Sequence, residues 1–124
     1  MNKILYAEDH PGIRKSTERF LQLFGYTLEN DYRLIICENG QNAEQSYFSE
    51  KPLDVAILDN TMPPGKTGRE LAKIMKQDDP GIRIFIASGD KIPESEEYCF
   101  LEKPFDLYEL DRMLKGIFEK KMVL

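Results

Sequence analysis

Short hydrophobic runs alternate with amphipathic stretches along the chain. The runs are rich in Ile, Leu, Val and Tyr and lack regular polar alternation, which is typical of strands buried on both faces of a sheet. Strands are predicted at residues 3–7, 32–37, 54–58, 83–87 and 98–101. Between most of them, apolar residues recur at helical spacing. This alternation predicts an α/β fold, a doubly wound parallel sheet with right-handed crossovers and helices on both faces.

Local signals predict two helix starts and the end of a third helix. Thr67 is followed at the third position by Glu70, and Asp106 by Glu109, which is the spacing of a capping box. Each pair predicts a helix that begins at the residue after the cap. A shorter helix is predicted over residues 40–48. Pro52 limits its length, because a proline restricts the preceding residue away from helical geometry.

Two links between predicted elements have unusual lengths, one short and one long. Only the residues SGDKIPESEEY separate Ala87 from Cys99. Parallel strands usually need about a dozen connecting residues or more, and an average helix alone takes roughly eleven. We therefore predict that the helix between these strands is absent or reduced to about one turn at residues 94–97. The polar segment TLENDY lengthens an earlier link and is predicted to be a surface loop.

Size and charge exclude several classes of protein. The 124 residues suit a single domain, so we expect one domain over residues 1–124 with no output domain. A net charge of −5 gives no footprint for direct nucleic-acid binding. The apolar runs are too short for membrane insertion, and the start MNKILYAEDH does not resemble a signal peptide, so a cytoplasmic location is expected. Cys37 and Cys99 are predicted to be buried, reduced thiols.

Polar residues follow four of the predicted strands. They are Glu8 and Asp9, Asp59, Ser88 and Lys103. In an open parallel sheet, ligands bind at the carboxyl ends of the strands, so these side chains are expected to converge. Three carboxylates in one cleft repel each other unless a cation is present, and Mg²⁺ binds through one or two carboxylates plus phosphate oxygens. Asp59 could then attack a phosphoryl donor while Lys103 offers a point charge to the phosphate.

At these residues the sequence resembles the receiver domain of two-component response regulators. The segments that carry the resemblance are ILYAEDH, VAILDNTMPPGKTG, IFIASGD and FLEKPF, in this order along essentially the whole chain. The resemblance implies a flavodoxin-like sheet of strand order 2-1-3-4-5. It also implies specific roles: Glu8 and Asp9 as the acidic pair, Asp59 as phosphoacceptor, Thr61 as a metal ligand through its backbone carbonyl, Lys103 as the site lysine, Ser88 as the switch hydroxyl, Phe100 at the aromatic switch position and a cis peptide before Pro104.

The resemblance therefore implies that the chain is a phosphoacceptor switch or phosphorelay intermediate that depends on Mg²⁺ or alternatively on Mn²⁺. The phosphoryl donor would be the phosphohistidine of a histidine kinase or a histidine phosphotransfer protein, and the output would pass to a downstream protein. The chain would not be an enzyme beyond self-catalysed phosphoryl transfer and autodephosphorylation. Because Phe100 has no hydroxyl group, its coupling to Ser88 would have to act through packing.

Other readings of the same residues stay open. Asp59 and Ser88 are common turn residues, Glu8 and Asp9 would suit the start of a helix at Pro11, and Lys103 alone would be a solvent-exposed lysine. His10, the only histidine, is interpreted as an exposed loop residue.

Three other functions compete with the receiver reading. A phosphatase with an aspartyl-phosphate intermediate would carry a second acid two residues after the nucleophile, where Thr61 stands. A flavodoxin-like FMN site would need a phosphate loop in place of EDHPGIRKS, whose adjacent acids would repel phosphate. A docking module that has abandoned phosphorylation is the third alternative.

Overall fold

The computed structural model describes residues 1–122 and contains one five-stranded parallel sheet. The strands are β1 (Asn2–Ala7), β2 (Tyr32–Cys37), β3 (Val55–Asp59), β4 (Arg83–Ser88) and β5 (Cys99–Glu102). Their order in space is β2-β1-β3-β4-β5, and all four pairings are parallel. The predicted strands, strand order and parallel topology are confirmed. No strand boundary differs from its predicted position by more than one residue.

Four α-helices cover the two faces of the sheet in the described part of the chain. They are α1 (Pro11–Leu23), α2 (Gly40–Glu50), α3 (Gly68–Asp78) and α4 (Leu107–Met122). The predicted capping box at the start of α3 is present, with Thr67 Oγ1 accepting from Glu70 N and Glu70 Oε1 accepting from Thr67 N. At α4 the reciprocal box is not formed. Asp106 Oδ1 accepts from Tyr108 N, and the Glu109 carboxylate instead contacts Arg112.

The central strand β3 supplies side chains to two hydrophobic cores, one on each face of the sheet. Ala56 and Leu58 lie in the core under α2 and α3, whereas Val55 and Ile57 lie in the core under α1 and α4. Successive strand residues point to opposite faces, so a continuous apolar run fills both layers. Every residue of β3 is buried. The strand therefore holds its last residue, Asp59, in a fixed position at the carboxyl edge.

The link between β4 and β5 contains no helix, as the short spacing predicts. Ser95 and Tyr98 form an isolated antiparallel bridge around a tight turn, so residues 95–98 make a hairpin-like turn, and the predicted turn of helix at residues 94–97 is not formed. Ile92 is 8% exposed and packs into the core under α2 and α3. Tyr98 and Phe100 pack against the same core. These side chains cover part of the sheet on the side where a helix between β4 and β5 would pack.

Two predictions made from the sequence need correction. Cys37 is buried as predicted, but Cys99 is exposed, because it begins β5, an edge strand with a neighbour on one side only. The TLENDY segment is exposed, yet it is not a simple loop: Leu28–Asn30 forms a short 3-10 helix. Asp31 closes this helix with a φ of 66°, a left-handed conformation that Asp tolerates better than most residues.

Among the described residues, no helix is long and apolar enough to span a bilayer.

Gly116 provides a test of the helical assignment of α4. It lies inside the helix, and a Cβ placed on it would meet no atom within 4 Å. Replacing it with alanine is expected to raise the free energy of unfolding by about 0.5–1 kcal/mol, because glycine loses more backbone entropy in a helix. Chemical denaturation of the two proteins measures this difference. An unchanged or lower stability of Gly116→Ala would contradict the regular helix at this position.

Candidate functional site

The ends of four strands bring the predicted site residues to the carboxyl edge of the sheet. Glu8 and Asp9 follow β1, and Asp59 and Ser88 end the neighbouring strands β3 and β4. Lys103 follows β5, and its backbone N donates to Ser88 O at 2.9 Å, which holds the two strand ends together. Glu8 (1%), Asp59 (8%) and Ser88 (8%) are among the few buried polar residues in the part of the chain that the structure describes. The convergence expected from the strand positions is present.

Lys103 stands between two carboxylates. Its Nζ is 2.5 Å from Glu8 Oε1 and 3.3 Å from Asp59 Oδ2. Carboxylate oxygens of Glu8, Asp9 and Asp59 all lie within 4.8 Å of one another, and Asp9 is exposed. One ammonium group pairs with two of the three acidic groups, so acidic groups outnumber basic ones in this small pocket.

The buried charges shift the pKa values of these groups in opposite directions. Burial and the neighbouring Glu8 carboxylate raise the pKa of Asp59 to about 7, although Lys103 opposes the shift. Burial acts to raise the pKa of Glu8 as well, but hydrogen bonds from Lys103 and from His10 N outweigh it and lower the pKa. Burial acts to lower the pKa of Lys103, and its two acidic partners outweigh that effect and raise it. Near neutral pH, Glu8 and Lys103 are therefore an ion pair, and Asp59 gains or loses a proton.

Two further residues fix the loop after β1, and their part in the site was not evident from the sequence. His10 is exposed, as predicted, and it also caps α1 because its Nδ1 accepts from Ile13 N at 3.2 Å. Arg14 donates from Nη1 to the backbone carbonyls of Glu8 (3.0 Å) and Asp9 (3.4 Å). The sequence feature that could have identified Arg14 as part of the site is its position one turn into the helix that follows the acidic pair. These contacts orient the backbone that carries both acids.

The other predicted residues lie around this cluster. Thr61 is exposed in the loop after β3, two residues beyond Asp59. Ser88 Oγ accepts from Asp90 N at 3.1 Å, which leaves its hydroxyl proton available to another acceptor. Phe100 is half-buried against the core under α2 and α3. The peptide between Lys103 and Pro104 is cis, as the resemblance implied.

The donor set suits a hard divalent cation. Mg²⁺ and Mn²⁺ prefer oxygen ligands, and the cluster offers carboxylate oxygens from Glu8, Asp9 and Asp59. Asp59 is a buried acid whose ionised form is disfavoured by its surroundings, so a positive ion beside it would relieve an existing repulsion. The acidic residues therefore form a group that could bind a metal ion.

Comparisons with known sequences agree with this geometry. The sequence profile of the family described as "Response regulator receiver domain" matches residues 4–115. Sporulation initiation phosphotransferase F of Bacillus subtilis is 33% identical over 120 residues, which cover 91% of this chain and 90% of that protein. Response regulator RR06 of Streptococcus pneumoniae is 28% identical over 98% of this chain. The chain spans 55% of the length of RR06.

Solved structures show the same fold. The response regulator TrrA of Thermotoga maritima, solved in complex with Mg²⁺-BeF, is 28% identical with a TM-score of 0.78, and the match covers 94% of this chain and 99% of that one. The receiver domain of the hybrid histidine kinase CckA is 25% identical with a TM-score of 0.73, over 94% and 98% of the two chains. Together with the acidic cluster and the five-stranded sheet, these matches place the chain in the family of response regulator receiver domains of two-component systems.

Proposed function

We propose that Asp59 accepts a phosphoryl group and that the chain works as a phosphorylation-dependent switch or as a relay intermediate. The observation that carries this proposal is the position of Lys103, whose Nζ lies 3.3 Å from Asp59 Oδ2 and 2.5 Å from Glu8 Oε1. A lysine in this place can stabilise charge on the oxygens of a phosphoryl group transferred to Asp59, while Glu8 holds the lysine ammonium in position.

The reaction needs the ionised form of Asp59. A carboxylate oxygen attacks the phosphorus of a phosphohistidine, an O–P bond forms, the P–N bond breaks, and the electron pair leaves with the imidazole, which takes up a proton from solvent. Lys103 favours the carboxylate form and is placed to contact the phosphoryl oxygens. Glu8 keeps Lys103 protonated and oriented through its short ion pair.

We assign the metal site to Glu8, Asp9, Asp59 and the backbone carbonyl of Thr61. Mg²⁺, or Mn²⁺ as an alternative, would supply positive charge that offsets the charge of the phosphoryl oxygens. The close approach of the three carboxylates supports this assignment, because it is costly without a cation.

Ser88 is the proposed switch hydroxyl. Its Oγ accepts from Asp90 N, so its proton can be donated to a phosphoryl oxygen attached to Asp59. Ser88 O also accepts a hydrogen bond from Lys103 N, which connects the carboxyl ends of β4 and β5 at the site. Phe100 has no hydroxyl group and sits against the core, so we propose that it responds to Ser88 by a change of packing.

The proposed phosphoryl donor is a histidine kinase or a histidine phosphotransfer protein. The family match supports this choice, as does a 27% identity over 95% of this chain to the sensor kinase CckA of Brucella abortus, of which the chain spans 13%. We propose that the output passes to a downstream protein by contact or by onward phosphoryl transfer. Direct nucleic-acid binding is not proposed, since the net charge is −5.

The altered link between β4 and β5 supports one alternative. A receiver-like module that only docks to a partner would need no change of state at Asp59, and the link of residues 89–98 has no helix through which such a change could be reported. This alternative predicts the same partner affinity with and without phosphorylation. The intact set of Asp59, Lys103 and Ser88 favours the switch.

Mass spectrometry of the intact protein tests the proposal. Incubation with a small acyl-phosphate donor and Mg²⁺ is expected to add the mass of one phosphoryl group, and chelation of the metal is expected to prevent it. Asp59→Asn is expected to stay unmodified, because the amide cannot form an acyl phosphate. Asp31→Asn, which changes an exposed acid in a turn where Asn fits equally well, serves as the matched control. Equal labelling of both variants would refute the assignment of Asp59.

A further inference from the structure

The loop after β3 is fastened to the first turn of α2 by backbone hydrogen bonds. Gly40 N donates to Met62 O at 2.9 Å, and Gln41 N donates to Pro64 O at 3.0 Å. The first amides of a helix have no partner within the helix, so these two groups are satisfied by the loop. We call this contact the clasp: the loop of residues 62–66 against Gly40 and Gln41.

Glycine is required on both sides of the clasp. A Cβ on Gly40 would lie 2.1 Å from Lys66 O, and a Cβ on Gly65 would lie 2.2 Å from Gln41 N. Both neighbours are backbone atoms, so a side chain could be accommodated only if the loop and the helix moved apart. Gly65 also has a φ of +107°, which strains any other residue.

Side chains close the clasp on its two sides. Met62 is 1% exposed and packs in the core under α2 and α3. Lys66 Nζ lies 2.9 Å from Glu44 Oε1, so a charge on the loop pairs with a charge one turn into α2. The loop is thus held by backbone and ionic contacts to α2 and by an apolar side chain in the core under α2 and α3.

Thr61 lies between this anchored loop and the end of β3. On its other side, Asn60 N donates to Ala87 O at 2.9 Å, and Asn60 O accepts from Gly68 N at 3.0 Å. Both neighbours of Thr61 therefore have bonded backbone groups, which leaves its peptide little freedom. We propose that Gly40 and Gly65 are positioning residues that hold the Thr61 carbonyl in place for the metal ion. This inference rests on the proposed function, in which that carbonyl is a metal ligand.

Calorimetric titration with Mg²⁺ tests the role of the clasp. Gly65→Ala is expected to weaken the affinity for Mg²⁺ by about tenfold, the size of effect seen when partners that orient metal ligands are lost. Gly116→Ala serves as the matched control, because the same substitution at Gly116 meets no neighbour within 4 Å, and its affinity is expected to equal that of the wild type. A folded Gly65→Ala protein with wild-type affinity would overturn the inference.

Amide hydrogen exchange of the wild-type protein gives a second readout that does not require a variant to fold. Coupling between two sites is reciprocal, so Mg²⁺ is expected to slow exchange at the Gly40 and Gln41 amides, which donate into the clasp. Exchange at these amides that does not change on saturation with Mg²⁺ would overturn the inference while leaving the metal site intact. A wild-type protein that binds no Mg²⁺ would refute the proposed metal site itself, and the role of the clasp with it.

Discussion

Replacing Lys103 with methionine is expected to lower the free energy of unfolding by about 3 kcal/mol at pH 8, the low end of the cost of leaving a buried charge unpaired. The lysine is 20% exposed, whereas its partners Glu8 and Asp59 are 2% and 10% exposed in their side chains. Without it, two buried carboxylates face each other with no cation. The loss should be smaller at pH 5, because protonation of Asp59 removes one of the two charges.

The same substitution should slow phosphorylation by an acyl-phosphate donor about a hundredfold, the loss typical of removing one preorganised group that stabilises developing charge. Lys51→Met is the matched control for stability, because it breaks an exposed ion pair with Asp78 and should cost less than about 1 kcal/mol. Urea denaturation at the two pH values and a phosphorylation time course measure both effects. A Lys103→Met protein as stable as Lys51→Met at pH 8 would contradict the buried charge cluster.

Replacing Asp59 with asparagine is expected to stabilise the metal-free protein by about 2 kcal/mol at pH 8. The pKa of Asp59 is raised to about 7, so the folded state binds this proton more tightly than the unfolded state does. Stability from this group is fully present below the ordinary pKa of an aspartate, near 4, and is lost as the pH rises through about 7. Asparagine carries no proton to lose, so the variant escapes this loss.

The size of the effect follows from the pKa. A rise from 3.8 to about 7 corresponds to about 4 kcal/mol at 1.36 kcal/mol per pH unit, and solvent near the pocket reduces the expected value to about half. The difference between variant and wild type should shrink towards zero near pH 4. Denaturation in a chelating buffer at pH 4, 6 and 8 measures it, with Asp31→Asn as the control that should show no such trend. A variant less stable than the wild type at pH 8 would show that ionised Asp59 is not destabilising.

The sequence was sufficient to predict where the site lies. The buried run that ends at Asp59 and the short run before Lys103 identify strands from hydrophobicity alone, and parallel strands place their carboxyl ends on one edge. The missing helix between β4 and β5 followed from the spacing of Ala87 and Cys99, because chain length limits what a crossover can contain.

Contacts that depend on side-chain direction and tertiary packing were not predictable. The closer approach of Lys103 to Glu8 than to Asp59 depends on the path of its side chain across the pocket, which no local pattern specifies. The bonds from Arg14 to the backbone of the acidic pair, and the burial of Ile92 in the core, depend on how a helix and a loop pack on the sheet. Cys99 was predicted to be buried because its neighbours are apolar, whereas its position on the edge strand exposes it.

The central claim is that the phosphoryl group is carried by Asp59, and chemical trapping tests it directly. The protein is phosphorylated with an acyl-phosphate donor and Mg²⁺, reduced with borohydride, which converts an aspartyl phosphate to homoserine, and digested for tandem mass spectrometry. Homoserine is expected at residue 59 and at no other acidic position, and it should be absent when the metal is chelated. Homoserine at Asp9 or at another aspartate, with residue 59 unchanged, would contradict the account.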